Sequence, residues 1–411
     1  MRLSKTFVKT LREAPKDETA KNAQLLIRAG YIHKEMAGVY SYLPLGLRVI
    51  EKIKNIIREE LNKIGAEELQ MTVLQNPKPW KETNRWDSEK MDVWFKTELA
   101  SGGELGLGPT HEEPITSMMT EYIRSYRDLP VLVYQIQTKF RNELRAKSGI
   151  LRTREFLMKD LYSFAKDEEE HQKIYKSVER AYARIYDRLG IGGDTYETFA
   201  SGGVFSKYSH EYQTILPVGE DTIYYNKDRS VVLNKEVLRP EVLKDLGVKK
   251  EDLVEDTGAE VGNIFTLKYK YSKSLGLNYQ TEAGKQETVF MGCYGIGVSR
   301  VMGVIVEKFA DEKGLVFPEE LAPYKYYFVA IGDEGQKKAE EIYEEFKVKD
   351  EILFDDREVR FGEKMKDAEL MGIPKRIVIS DRTLEKGEVE LTDRMTGETR
   401  RISIDKFVAS L

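Results

Sequence analysis

A single cysteine, Cys293, is present in 411 residues. No disulfide can form within the chain, and a cysteine-rich structural zinc site is excluded. Histidines number only four. His111 and His210 each precede a glutamate, yet neither is followed by a second histidine four residues on, so the zinc-protease helix pattern is absent. No G-x-x-x-x-G-K phosphate loop occurs. The longest apolar run, near 301–306, is far too short to span a bilayer. Residues 1–11 interleave Arg2, Lys5 and Lys9 with single apolar residues and lack the apolar stretch of a signal peptide. Positive charge is not in excess either: 65 basic side chains meet 70 acidic ones, for a net charge of −5 and a pI near 5.8. Any contact with nucleic acid must therefore rest on local charge. What remains, 41% hydrophobic and 33% charged, suits two or three soluble domains in the cytoplasm, with no membrane association.

Periodicity supplies the organisation. Leu47, Ile50, Ile53, Ile57, Leu61 and Ile64 recur every three or four positions and form one face of a long helix, with Gly65 at its C-terminal cap. Residues 69–73 alternate as a half-buried strand does. Pro114 can open a second helix, with Ile115, Met118, Tyr122 and Tyr126 on its inner side. Residues 131–143 and 151–163 read as two strands joined by a short basic linker. After Gly190 the pattern turns glycine-rich and strand-like. A polar stretch at about 226–260 reads as an insertion or small subdomain, and strands resume at 263–271 and 287–292 before a helix from Gly297 to about Phe309. Pro318 and Pro323 mark a boundary. Beyond it strands and helices alternate (326–331, 336–346, 351–354, 364–371, 376–380), which implies a small α/β domain. The expected architecture is an α+β domain over residues 1–320 and an α/β domain over 321–411.

Three constellations carry chemistry. Between Lys139 and Asp160 seven basic residues face three acidic ones, a local +4 in an acidic protein. Arg141 and Glu143 share a strand face by alternation, as do Arg152, Phe156 and Met158 on the returning strand. Guanidinium groups can hold phosphates bidentately, a phenyl ring can stack on a base, and a carboxylate can accept from an exocyclic amine. A solvated charged hairpin is the alternative that charge alone leaves open. In 108–113, Thr110 and Glu112 point the same way if the chain is extended and offer a hydroxyl and a carboxylate to an ammonium group; a polar loop capping a helix is the alternative. In 292–300, glycines between a strand and a helix let a backbone approach a ligand, and Arg300 adds charge at a helix N-terminus that already favours phosphate. The stretch is not a dinucleotide fingerprint, because Arg300 replaces the third glycine and no acidic residue ends a second strand.

In order and spacing these segments resemble the class II aminoacyl-tRNA synthetases. Residues 46–74 look like their first motif, Phe140-Arg141-Asn142-Glu143 with Arg152–Phe156 like the second, and Gly295–Arg300 like the third. The surrounding words, Leu107–Glu113, Tyr134–Arg141, Arg154–Asp160, Met291–Gly297, Ser209-His210-Glu211 and 353–374, resemble the bacterial-type prolyl-tRNA synthetase family across nearly the whole chain except about 226–260. The resemblance implies an antiparallel catalytic sheet with helices, followed by a small anticodon-binding domain. It implies ATP and Mg²⁺ as cofactors without zinc, L-proline and proline tRNA as partners, and a homodimer. By motif, Arg141 is expected on the α-phosphate and the substrate carboxylate, Glu143 on the adenine amine, Phe156 stacked on the ring, and Arg152 and Arg300 on the γ-phosphate. Thr110 and Glu112 are expected to bind the secondary ammonium of proline, with Met158 and His210 walling the pocket and Glu287 assisting Mg²⁺. Asp355, Asp356, Arg357, Gly362, Lys364 and Asp367 are expected to read the anticodon, whose unpaired bases are open to hydrogen bonding. Family members of this type usually carry a large editing domain between the second and third motifs; residues 212–291 are too few to hold one. Thr72 and Phe361 stand where the family has proline.

Overall fold

The computed structural model describes residues 1–201 and 208–411. The chain divides into two compact units: Met36–Val39 with Ile53–Val304, and Met1–Glu35 with Tyr40–Lys52 and Ile305–Leu411. The elements of the first, of which α1 and α7 continue into the other, run α1 (Pro44–Asn62), β1 (Glu67–Glu68), β2 (Leu74–Gln75), α2 (Pro77–Glu82), β3 (Phe95–Glu98), β4 (Glu104–Leu107), α3 (Glu112–Met119), β5 (Val131–Phe140), β6 (Glu155–Ala165), α4 (Glu168–Arg188), β7 (Thr195–Ser201), β8 (Tyr208–Ile215), β9 (Asp221–Tyr225), β10 (Val232–Asn234), α5 (Pro240–Leu246), β11 (Val254–Lys268), α6 (Lys270–Leu275), β12 (Asn278–Gln280), β13 (Gln286–Thr288), β14 (Phe290–Gly297) and α7 (Val298–Phe309). The mixed α and β architecture on a largely antiparallel sheet is the one expected from the sequence.

Nine strands pair in the order β8-β7-β10-β9-β11-β14-β6-β5-β1, antiparallel except β1 on β5 and β10 on β7. Strand β8 also pairs with β11, which closes β7, β8, β11, β9 and β10 into a ring of five strands. The segment expected as an insertion is drawn into this ring. Strand β11 begins inside it at Val254 and continues to Lys268 in the centre of the sheet, while Leu233, Val237 and Val242 form a small apolar cluster beside it.

Register decides which side chains meet. Met158 pairs with Gly297, Asp160 with Gly295 and Tyr162 with Cys293; Gly295 in turn pairs with Asn263 and Cys293 with Phe265. Side chains at opposed antiparallel positions share a face, so these residues line one side. Helix α4 covers the other, where Lys159 Nζ donates to the Tyr182 hydroxyl and to the Tyr294 carbonyl (2.9 Å). The Asp167 carboxylate caps α4 through the Glu170 N–H (2.8 Å). Glu168, Glu169 and Glu170 complement the positive end of its dipole. Val178, Tyr182 and Ile185, three or four residues apart, are buried beneath it.

Against a separate three-stranded sheet, β2-β4-β3, pack all three tryptophans of the chain, Trp80 from α2 and Trp86 and Trp94 from the connection to β3. Trp94 packs edge-on to Trp80 at 4.7 Å and tilted against Trp86 at 5.0 Å. Only glycine fits at position 106 on β4, because a Cβ there would lie 2.5 Å from the Trp94 ring.

The other unit contains β15 (Tyr326–Ile331), α8 (Asp333–Phe346), β16 (Ile352–Asp355), α9 (Phe361–Met371), β17 (Lys375–Ser380), β18 (Glu388–Asp393) and β19 (Thr399–Ser403). Its sheet runs β16-β15-β17-β18-β19, with the first three strands parallel and the last two antiparallel. Phe328, Phe354, Ile377, Ile379, Val389 and Phe407 fill its core. The start of the chain belongs here: Arg2 bridges to Phe354, and the buried Tyr31 hydroxyl donates to the Met371 carbonyl (2.6 Å).

Candidate active site

Three adjoining cavities open on the face of the sheet opposite α4, and Arg141 and Glu143 line all three. The largest, about 420 Å³, is also lined by Arg85, Thr110, Glu112, Met158 and Tyr271. Phe156 lines a narrower one with Gly297 and Arg300.

Arg141 and Glu143 are not on a strand, as alternation suggested. Strands β5 and β6 stop pairing at Phe140 and Glu155. Arg141 is then held by its own N–H on the Arg154 carbonyl (2.8 Å), and Asn142 by its N–H on the Val93 carbonyl (2.8 Å). The Arg141 guanidinium lies 5.2 Å from the Phe156 ring centroid. Burial, and Arg300 nearby, push its pKa down. Among the described residues the Arg141 guanidinium has no hydrogen-bond or ion-pair partner. The other two motif arginines are engaged. Arg152 grips Glu143 Oε2 through Nε (2.9 Å) and Nη2 (2.7 Å). Arg300, in the first turn of α7, donates to the Leu151 carbonyl (2.8 Å) and the Glu260 carbonyl (2.7 Å), with the Glu260 carboxylate at 3.4 Å.

Thr110 and Glu112 do converge: the threonine hydroxyl donates to Glu112 Oε2 at 2.7 Å. They meet because α3 begins at Glu112, two residues before Pro114, and not because the segment is extended. The Cys293 thiol donates to Glu112 Oε1 at 3.4 Å, and burial pushes its pKa up. Beneath them His111, fully buried, is lowered to about 4 by burial and by Lys139. It is therefore neutral. Its Nε2–H donates to the Thr72 carbonyl (3.0 Å) and its Nδ1 accepts from Lys139 (2.7 Å), so its 3.9 Å approach to Asp160 is no ion pair. Lys139 and Asp160, 2.8 Å apart, are the buried ion pair. Burial, the largest single influence, opposes the Asp160 charge, and Lys139 together with the hydrogen bonds to the carboxylate outweighs it to lower the pKa.

Two expected residues lie elsewhere. His210 pairs with Ile264, which opposes Tyr294, so it faces α4, where its Nδ1 accepts from the Tyr175 hydroxyl (2.6 Å). There its nitrogen and the carboxylates of Glu179 and Glu197 lie within 4.8 Å of one another. It does not wall the cavity; a bulge between Tyr212 and Gln213 follows it. Glu287 is exposed on the β12–β13 hairpin, accepts from the Tyr279 hydroxyl (3.2 Å) and lines none of the cavities. Two residues were missed. Glu260, inside the segment set aside as an insertion, lines two of the cavities; its place in a strand that runs on through Gly262 and Asn263 was the available signal. Arg85 lies between Trp80 and Trp86, with no motif to flag it.

In the other unit, Asp355 is fully buried. Its carboxylate accepts from the Tyr327 hydroxyl and, bidentately, from Arg357, all at 2.7 Å. Arg357 also reaches Asp367 (2.8 Å), and Lys364 donates to the Asp355 carbonyl (2.9 Å). Asp356 accepts from Ser4. Asp355, Arg357, Lys364 and Asp367 thus bond one another and shape the loop, which takes Asp355 out of reach of a base. Gly362 faces open space. Phe361, 45% exposed, is the first residue of α9, the helical position where proline is tolerated because its missing N–H has no intrahelical partner.

Residues 95–309 match the tRNA synthetase class II core domain (G, H, P, S and T), and residues 325–411 match an anticodon binding domain. A proline–tRNA ligase of Anaplasma phagocytophilum is 36% identical over 432 positions, covering all of both chains, and one of Wolbachia pipientis is 36% identical over 99% of each. The chain belongs to the proline–tRNA ligase family. It is accordingly an aminoacyl-tRNA ligase. A member of the family from Halothermothrix orenii is 32% identical, but its alignment spans 563 positions; 563 less 411 leaves 152 positions with no counterpart in this chain. Crystal structures of a prolyl-tRNA synthetase from Cryptosporidium parvum, one with L-proline and AMP and one with halofuginone and AMPPNP, share the fold at TM-scores of 0.76 and 0.77, with 19% and 20% identity, over 95% of this chain and 73% and 75% of theirs. Among the described residues no helix is long and apolar enough to cross a membrane.

Proposed function

We propose that this chain activates L-proline with ATP and transfers the prolyl group to the 3′ end of proline tRNA. The observation that carries this reading is Arg141, a half-buried guanidinium with no hydrogen-bond or ion-pair partner among the described residues, set where three cavities meet. A guanidinium left without a bonded partner at such a point is matched to an anion that arrives with the substrate. Arg141 takes the α-phosphate and the proline carboxylate, and Phe156, beneath it, stacks on the adenine. The Glu143–Arg152 pair opens as ATP enters: Glu143 accepts from the adenine amine, and Arg152 joins Arg300 on the γ-phosphate. Thr110 and Glu112 hold the secondary ammonium, and Met158 walls the pocket. A proline carboxylate oxygen attacks the α-phosphorus, the bond to the bridging β-oxygen breaks, and pyrophosphate leaves. The terminal ribose hydroxyl of the tRNA then attacks the prolyl carbonyl and AMP departs. Neither step needs a nucleophile from the protein; positioning and charge neutralisation carry the catalysis.

Mg²⁺, when bound, supplies charge neutralisation on the phosphates. Glu260, an anionic oxygen ligand beside Arg300 in the phosphate end of the site, fits a hard cation; Glu287 does not. The reading assigns no role to zinc. Residues 1–320 are read as the catalytic domain, and residues 321–411 as the anticodon-binding domain, with 355–367 near the anticodon. The assembly is read as a cytoplasmic homodimer joined through the edge at 46–74. With some 150 positions fewer than a longer relative, the chain is read as unable to hydrolyse alanine mischarged onto proline tRNA.

Amino-acid-dependent ATP–pyrophosphate exchange tests the activity. Proline should support exchange strongly and alanine weakly, with threonine, serine and histidine inactive. Exchange with none of them, in a folded protein that binds tRNA, would overturn the reading.

A further inference from the structure

Arg85 stands behind the ammonium subsite without belonging to any motif. Trp94 fixes its backbone by donating from Nε1 to the Arg85 carbonyl (2.9 Å), and its guanidinium lies 5.3 Å from the Trp80 ring centroid. Its Nη1 donates to both oxygens of Glu113 (2.9 and 3.1 Å) and to the Tyr271 hydroxyl (2.7 Å), and lies 3.5 Å from Glu112 Oε2. Two adjacent glutamates therefore share one arginine, unequally. Glu113 is fully buried and holds the near side of the guanidinium. The Thr83 hydroxyl completes its shell at 2.8 Å.

We propose that Arg85 is a positioning residue for amino-acid activation: it directs its hydrogen bonds to Glu113 and so leaves the neighbouring Glu112 carboxylate, 3.5 Å away, to receive the ammonium group of proline. The inference rests on the reading of Glu112 as the ammonium partner. Burial, the largest influence on Glu113, raises its pKa to about 7 even with Arg85 opposing, and Glu112 adds to the rise. Without Arg85 the Glu113 pKa rises further, and Glu113 keeps its proton to higher pH. A Glu113 that carries a proton donates it toward the adjacent Glu112 carboxylate and competes there with the incoming ammonium. The other cations facing the pair, Lys270 from α6 and Lys139 and Arg141 from the β5 side, act on it through space. Tyr162, Tyr271 and Cys293 are raised by burial and stay neutral; His111 is neutral, and Asp160 is matched by Lys139. None of these replaces the Arg85–Glu113 contact. Removing Glu113 instead of Arg85 fails the other way, because the freed guanidinium turns on Glu112 and competes with the ammonium.

The test is a double-mutant cycle, Arg85→Gln, Glu113→Gln and both together, read by proline-dependent ATP–pyrophosphate exchange between pH 6 and 9. Each single variant should raise KM for proline about tenfold or more, with kcat and KM for ATP within about twofold. In Arg85→Gln the KM should fall as pH rises and Glu113 loses its proton. The double variant, with Glu112 alone, should recover most of the affinity and lose the pH dependence, a non-additivity that a merely structural arginine does not produce. If Arg85→Gln does not fold, Glu113→Gln with raised KM and its restoration in the double variant carries the same information. An unchanged KM for proline in both single variants, or a double variant as impaired as either single one at every pH, overturns the inference. Glu112→Gln separates the two levels: if it raises KM while the Arg85 and Glu113 variants do not, only the role of Arg85 is wrong; if it too leaves KM unchanged, the ammonium subsite itself is misread.

Discussion

Replacing Arg141 by alanine separates a ligand-binding charge from a structural one. The guanidinium has no hydrogen-bond or ion-pair partner among the described residues and is opposed by Arg300. Its removal therefore breaks no hydrogen bond or ion pair among the described residues; the repulsion from Arg300 that it relieves offsets the through-space attraction of Glu260, Glu143 and Glu112 and the contact with the Phe156 ring that it loses. The expected change in stability is within about 1 kcal/mol, against the about 3–5 kcal/mol lost when one partner of a buried ion pair is removed. Catalysis should behave oppositely. A guanidinium bridging a carboxylate and a phosphate makes two charge-assisted hydrogen bonds, each worth about 1.5–3 kcal/mol. Their loss amounts to about 3–6 kcal/mol, a fall of roughly 10²–10⁴ in adenylate formation. Arg141→Lys keeps the charge but not the fork and should sit between. The assay is proline-dependent pyrophosphate exchange beside thermal unfolding of the same preparations. Exchange within about tenfold of the parent, or a melting temperature reduced as if a buried pair had been broken, would refute the reasoning.

Glu260→Gln should shift the Mg²⁺ dependence of exchange to higher concentration while leaving proline affinity unchanged; an unaltered Mg²⁺ titration removes Glu260 from that role. Purified protein should leave Ala-tRNA to decay no faster than its spontaneous hydrolysis in buffer, and rapid hydrolysis sinks the expectation. Glu60, fully buried, is held near pKa 2 because Lys63, Arg184 and Arg188 outweigh the burial that opposes its charge. A depressed carboxylate contributes stability that is complete above its ordinary value near 4.5 and is lost as pH falls toward 2. This amounts to at most about 3 kcal/mol, less what solvent screens at the half-exposed Arg184. Denaturant midpoints should fall across that window in the parent and much less in Glu60→Gln. Gly106→Ala drives a Cβ to 2.5 Å from Trp94. It should cost about 1–3 kcal/mol and change the tryptophan emission, since every tryptophan of the chain lies in that cluster; an unchanged spectrum and stability would show that the cluster yields.

The order of elements and several side chains that line the candidate site were legible in the sequence because both are local properties. Apolar spacing marked α1, alternation marked β5 and β6, and glycines marked the passage from β14 into α7, so Arg141, Glu143, Phe156, Met158 and Arg300 could be named from short words alone. Family resemblance added the roles. Tertiary structure decided what depends on pairing between distant strands. The register of β8 on β11 turned His210 to the helix-covered face, and the hairpin β12–β13 left Glu287 exposed, facts that no window of ten residues contains. Burial made Asp355 a keystone of its own loop instead of a reader of bases. Strand β11 carried Glu260 out of a polar stretch and into the lining of two cavities, and the packing of three tryptophans delivered Arg85 to two glutamates some 28 residues further along the chain. Sequence spacing fixes which face of an element a side chain takes; only long-range pairing fixes what that face meets.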